Sequence, residues 1–156
     1  MKDEIVARLL DLAIAIQQIA APTFEEKERA EFVRGCFVEE NLQDISMDKA
    51  GNVLARIPGG KARPLIVSAH LDTVFARETD LRITRDGQRI HGPGLGDNSL
   101  GVAALFGLVW SLRARGMRLP GDVWLIANTG EEGLGDLRGM KTIVDRFGPN
   151  VTGYLV

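Results

Sequence analysis

The stretch Pro64-Leu65-Ile66-Val67-Ser68-Ala69 constrains the fold of this chain more than any other. A continuous apolar run of that length is the pattern of a strand covered on both faces. A second such run, Asp122-Val123-Trp124-Leu125-Ile126-Ala127-Asn128, follows a long apolar helix predicted from about Leu100 to Arg115. Buried strands separated by helices need cover on both sides of a sheet. The expected fold class is therefore α/β, a three-layer sandwich with a mixed, largely parallel sheet.

The remaining segments supply the other elements. Apolar residues at Ile5, Leu9, Leu12, Ile16 and Ile19 predict a helix over 3–20, ended by Pro22. Thr23-Phe24-Glu25-Glu26 reads as a capping box that opens a second helix running to about Glu39. Asn52 to Ile57 alternates as a strand and Pro58-Gly59-Gly60 turns the chain. A hairpin is predicted from Leu81–Thr84 and Gln88–Ile90 around Asp86-Gly87. A helix over about Leu137–Phe147 and a last strand from Val151 to Val156 complete the pattern. A length of 156 residues suits one domain.

Charge and cysteine usage exclude several roles. A net charge of −2 with scattered basic residues argues against nucleic-acid or anionic-membrane partners. Arg113, Arg115 and Arg118 read as a solvated helix end. No run approaches the roughly 18 apolar residues of a membrane span, and Asp11 interrupts the apolar stretch near the N-terminus. Cys36, the one cysteine, excludes an internal disulfide and reads as a small buried thiol among Phe32, Val33, Phe37 and Val38. These features give a cytoplasmic expectation.

Three clusters carry the chemistry: His70-Leu71-Asp72, Gly96-Asp97-Asn98 and Glu131-Glu132. Two of them directly follow the best strands, and ligands of open α/β sheets gather at carboxyl strand ends. Imidazole and carboxylates are the usual nitrogen and oxygen ligands of zinc. His70 and Asp72, two residues apart at a strand end, leave on one side; one can bind metal while the other steadies the site. Asp97, in a glycine loop, can approach a metal closely and bridge two ions. Of Glu131 and Glu132, one can ligate while the other takes a proton from water. The loop Gly92-x-Gly94-x-Gly96 does not meet the dinucleotide spacing G-x-G-x-x-G, because Asp97 stands where the third glycine belongs. His91 has no matching partner and reads as a hairpin-end residue.

Taken in order, Ala69-His70-Leu71-Asp72-Thr73-Val74, Gly94-Leu95-Gly96-Asp97-Asn98-Ser99-Leu100-Gly101 and Thr129-Gly130-Glu131-Glu132-Gly133 resemble the di-zinc metallopeptidase family of aminoacylases, peptidase T, acetylornithine deacetylase and glutamate carboxypeptidases. The gaps, 27 residues from His70 to Asp97 and 35 from Asp97 to Glu132, are similar to that family's layout. The resemblance implies a zinc-exopeptidase-like catalytic core. It implies that His70 and Glu132 each bind one zinc, that Asp97 bridges the pair, and that Asp72 orients His70. It also implies that Glu131 is the general base, activating metal-bound water against a peptide or N-acyl amide carbonyl. Two zinc ions are implied in a complete site, with cobalt or manganese as alternatives. A small peptide or N-acyl amino acid is the implied substrate.

Two departures qualify the match. Asn98-Ser99 stand where many members place Met-Lys. A further acidic ligand, a last histidine and an inserted lid domain, which the resemblance also implies, lie outside these 156 residues. The expectation is a truncated, N-terminal portion of a catalytic domain over 1–156, inactive alone, that self-associates or is completed by a C-terminal chain. The alternative is a non-catalytic metal-binding or assembly module on the same fold.

Overall fold

The computed structural model describes residues 2–156. Helices α1 (Lys2–Gln17) and α2 (Lys27–Glu39) precede strands β1 (Gln43–Met47), β2 (Val53–Ile57) and β3 (Ala62–His70). A hairpin of β4 (Thr84–Asp86) and β5 (Arg89–His91) leads to α3 (Leu100–Ala114) and β6 (Gly121–Asn128). Helix α4 (Arg138–Phe147) and β7 (Gly153–Leu155) close the chain. The main sheet runs β1-β2-β6-β3-β7. It is mixed: β1/β2 and β2/β6 are antiparallel, whereas β3/β6 and β3/β7 are parallel.

Alternation along the strands divides the core into two compartments, because successive side chains leave a strand on opposite faces. Val53, Ala55, Val67, Ala69, Val123, Leu125 and Ala127 share one cluster with Ile16, Val33, Phe37 and Phe106 of α1–α3. Leu54, Ile66 and Ile126 point the other way and pack with Met140 and Ile143 of α4. These are the three layers. Each fully buried Leu or Ile contributes roughly 1.5–3 kcal/mol relative to exposure.

Several sequence expectations need correction. Strand β1 was not anticipated: Gln43 and Asp44 are exposed, and only Ile45 and Met47 pack on the core. It is an edge strand, paired with β2 alone and irregular between Gln43 and Ser46. The capping box does not form. Helix α2 begins at Lys27, and Glu26 makes no side-chain bond to its own helix. The hairpin lies a step later than expected, with Asp86 opposite Arg89 and Gly87 taking φ +55° in the turn. Leu81 lies outside it, its carbonyl accepting from the side chains of Gln17 and Gln18 at 3.1 and 2.7 Å.

Arg113 is not simply solvated. Its guanidinium donates to Glu40 Oε2 at 2.6 Å, and Trp110 Nε1 donates to the other oxygen of the same carboxylate at 2.8 Å. Contrary to the expectation of no spanning-length run, Leu95–Ala114 is long and apolar enough to cross a membrane by length and composition. Within it Val102, Ala103, Leu105, Phe106 and Val109 are buried in the core, whereas Leu100 is exposed. Cys36 is half-buried, and burial with the charge of Glu39 pushes its thiol up to about 11, so it is held as an unreactive thiol.

Candidate metal centre

The site is built at the carboxyl ends of β3 and β6, where the two parallel strands stop in register with His70 opposite Asn128. Past His70 the chain is tied down on both sides. Leu71 N donates to the Asn128 carbonyl at 2.7 Å, and the buried Arg29 donates to the Leu71 carbonyl at 2.7 Å. Arg29 also donates to the Ile19 carbonyl through Nε at 2.9 Å, so α2 clamps the end of α1 against the end of β3. Burial lowers its pKa to about 10, a fall that the Asp72 charge opposes.

Asp72 is fully buried and organises the acidic loop after β6. Its Oδ1 accepts the Glu131 N–H and its Oδ2 accepts the Glu132 N–H, both at 3.0 Å. Thr23 Oγ1 donates to Oδ2 at 3.0 Å, which is where the expected helix-capping hydroxyl went. Burial alone would raise the Asp72 pKa. The contact with His70 and the donated hydrogen bonds overcome this and hold the carboxyl at about 2.

His70 places Nδ1 3.1 Å from the Asp72 carbonyl oxygen and 3.6 Å from its Oδ1. With Nδ1 protonated toward that carbonyl, the Nε2 lone pair faces the acidic groups. Nε2 lies 2.9 Å from Asp97 Oδ1 and 3.9 Å from Glu131 Oε2. Burial works against the imidazolium, but Asp72 and the Glu131 charge outweigh it and raise the His70 pKa.

The glycine loop delivers Asp97. Gly94 has φ +67°, and a Cβ there would lie 2.8 Å from the Thr73 side chain, so the close approach needs glycine. The Asp97–Asn98 peptide is cis. The Asp97 side chain is 75% exposed, so its free oxygen remains open to a ligand.

One ligand atom from each of His70, Glu131 and Glu132 falls within 4.8 Å of the others. The Glu132 pKa is raised, first by burial and then by repulsion from Asp97 and Glu131. One imidazole nitrogen and three crowded carboxylates are a donor set that fits a divalent cation, whose charge relieves that repulsion. All five residues expected from the sequence, His70, Asp72, Asp97, Glu131 and Glu132, meet at this site.

Residues 66–155 match the family model described as Peptidase family M20/M25/M40. The chain belongs to this family. Carboxypeptidase G2 of Pseudomonas sp. (strain RS-16) is 28% identical over 112 residues, 63% of this chain and 26% of that protein. Aminopeptidase PepT from Bacillus cereus superposes with a TM-score of 0.80 at 22% identity, covering 95% of this chain and 42% of that one. Dipeptidase Dug1p from Saccharomyces cerevisiae gives 0.70 at 18% identity, covering 98% and 38%. The two structural likenesses carry the fold. The chain thus spans less than half the length of each of these proteins.

Sequence reasoning missed the supports of the site. Thr23 and Glu26 read locally as a helix cap, but they reach instead to Asp72 and Gly130. Asn52 holds the stem of the acidic loop. It accepts the Thr129 N–H at 3.0 Å and donates to the Gly139 carbonyl at 3.0 Å. Asn128, beside His70, is buried with neither side-chain polar atom bonded among the described residues. No local pattern announces such long-range partners.

Proposed function

We propose that the chain is the metal-binding portion of a hydrolase that cleaves peptide or N-acyl amide bonds in small substrates. The observation that carries the reading is the convergence of His70, Asp97, Glu131 and Glu132 around one imidazole nitrogen. His70, Asp97 and Glu132 would hold a divalent metal, which we take to be zinc, and Asp97 would be the ligand shared with a second ion in a complete site. A bound cation there supplies Lewis acidity to a carbonyl oxygen and acidifies water. Asp72 fixes the imidazole and, through the two N–H groups it accepts, the backbone of both glutamates. Glu131 takes the proton of the attacking water and returns it to the leaving nitrogen, splitting the amide into acid and amine. No nucleophilic side chain is needed.

The domain reading extends the same proposal. Residues 1–156 form the N-terminal portion of a catalytic domain, acting in the cytoplasm, and further ligands and substrate contacts come from other polypeptide, whether a second copy or a complementing segment. The small share of the relatives' length that the chain covers supports this.

Zinc titration into the chelator-treated chain, read by elemental analysis after dialysis, tests the reading. We expect retained zinc for the unsubstituted chain and for Glu131→Gln, and loss for His70→Ala. In a preparation that hydrolyses N-acyl amino acids, Glu131→Gln lowers kcat by roughly 10²–10⁴. Unchanged zinc content in His70→Ala would sink the assignment, and loss of zinc in Glu131→Gln would exchange the two glutamates.

A further inference from the structure

The segment joining α1 to α2 reaches across the molecule to the acidic loop. Glu26 is only 4% exposed, and its carboxylate turns away from the helix it precedes. A single oxygen, Oε1, accepts the Phe24 N–H at 3.0 Å and the Gly130 N–H at 2.9 Å. Gly130 immediately precedes Glu131. Three successive N–H groups, of Gly130, Glu131 and Glu132, therefore end on buried carboxylate oxygens, one from Glu26 and two from Asp72.

We propose that Glu26 is a positioning residue for the metal centre, fixing the backbone of the Glu131-Glu132 loop through Gly130; this rests on the metal-centre reading above. Two independent observations support it. Phe24 holds φ +77°, a left-handed conformation that a phenylalanine rarely adopts. The Glu26 contact to its N–H and the Arg138 guanidinium 5.0 Å over its ring hold it there. Gly130 itself has φ +59°, which turns the chain just before the glutamates, and its carbonyl accepts the Arg138 N–H at 2.9 Å. The loop is thus gripped at Gly130 from the N-terminal segment and from α4. Without Glu26 the buried Gly130 N–H loses its acceptor, and the hinge of the loop is released while Asp72 still holds its tip.

The test uses the metal-free chain, zinc competition against a chromophoric chelator, and amide hydrogen exchange followed by NMR. Glu26→Gln keeps an acceptor oxygen at the same reach, so its zinc affinity stays within about threefold of the unsubstituted chain. Glu26→Ala has no acceptor and Glu26→Asp is one methylene short. Both should bind zinc about 10–100-fold more weakly, the range seen when a group supporting a metal ligand is removed. In both, exchange should accelerate at residues 130–132 but not in the centres of β3 and β6. Wild-type affinity and exchange in Glu26→Ala would overturn the proposal, as would equal losses in Glu26→Gln and Glu26→Ala. If Glu26→Ala does not fold, the contrast between Glu26→Gln and Glu26→Asp decides the matter. If the unsubstituted chain takes no zinc, the metal-centre reading fails instead, and the exchange rates at 130–132 still decide the role of Glu26 in holding the loop.

Discussion

Replacing Asp72 by Asn tests the core of the site without changing its volume. The carboxylate receives three donors: the N–H groups of Glu131 and Glu132 and the Thr23 hydroxyl. An amide keeps one acceptor oxygen and turns an NH2 toward the other donors. The hydroxyl can rotate to accept from it; a backbone N–H cannot. One buried N–H is therefore stranded, at roughly 1–3 kcal/mol, and the surviving bond loses its charge assistance. We expect a total loss of about 2–4 kcal/mol. The acidity of Asp72 gives an independent figure. A pKa of about 2 against the ordinary 3.8 corresponds to roughly 2–3 kcal/mol of stability at neutral pH, at about 1.4 kcal/mol per pH unit. Because the folded value is depressed, this contribution is complete above the ordinary pKa and is lost as pH falls toward 2, with about half left near pH 3. Urea unfolding of the metal-free chain at pH 7 and pH 3 measures both quantities. The gap between the unsubstituted chain and Asp72→Asn should be about 2–4 kcal/mol at pH 7 and about 1 kcal/mol smaller at pH 3. A gap below about 0.5 kcal/mol at pH 7, or one that does not change with pH, refutes the reasoning.

Other perturbations give separate checks. The raised pKa of His70 means that its protonation stabilises the metal-free fold at low pH and that this contribution fades as pH rises through the folded value. His70→Ala should therefore cost more stability at pH 5.5 than at pH 9 in urea unfolding with chelator present. Gly139→Ala should lower the melting temperature, because a Cβ there meets the Thr129 carbonyl and the Asn52 amide. An overpacking cost of about 1–3 kcal/mol corresponds to a fall of several degrees, and an unchanged Tm speaks against the close packing described. Glu40→Ala strands the indole N–H of Trp110, itself 7% exposed, at roughly 1–3 kcal/mol in fluorescence-monitored urea unfolding. Its pairs with Arg8 and Arg113, both more than half exposed, add little. Arg113→Ala should accordingly be far milder than Glu40→Ala, and the reverse order would put the ion pair, not the indole bond, at the centre.

The sequence by itself determined the layers and singled out the polar clusters that meet at their edge. Runs such as 64–69 and 122–128 can be stable only when covered on both faces, and that demand places helices on each side whatever the loops do. His70, Asp72, Glu131 and Glu132 were legible because they follow the ends of the two apolar runs, where a ligand can gather, and Asp97 because it stands in a glycine-rich loop. Tertiary structure decided what holds them. Thr23 and Glu26 are spaced as a helix cap, yet the buried N–H groups of Gly130, Glu131 and Glu132 needed acceptors more than an exposed helix start did, and water could serve the latter. Strand β1 was invisible for the opposite reason: Gln43-Asp44-Ile45-Ser46-Met47 has little apolar signal of its own and forms because the edge of β2 is there to pair with it. Local pattern reports what a segment must bury. Which distant polar group it must satisfy is settled only when the chain brings residues some hundred positions apart to hydrogen-bond distance, as it does for Glu26 and Gly130.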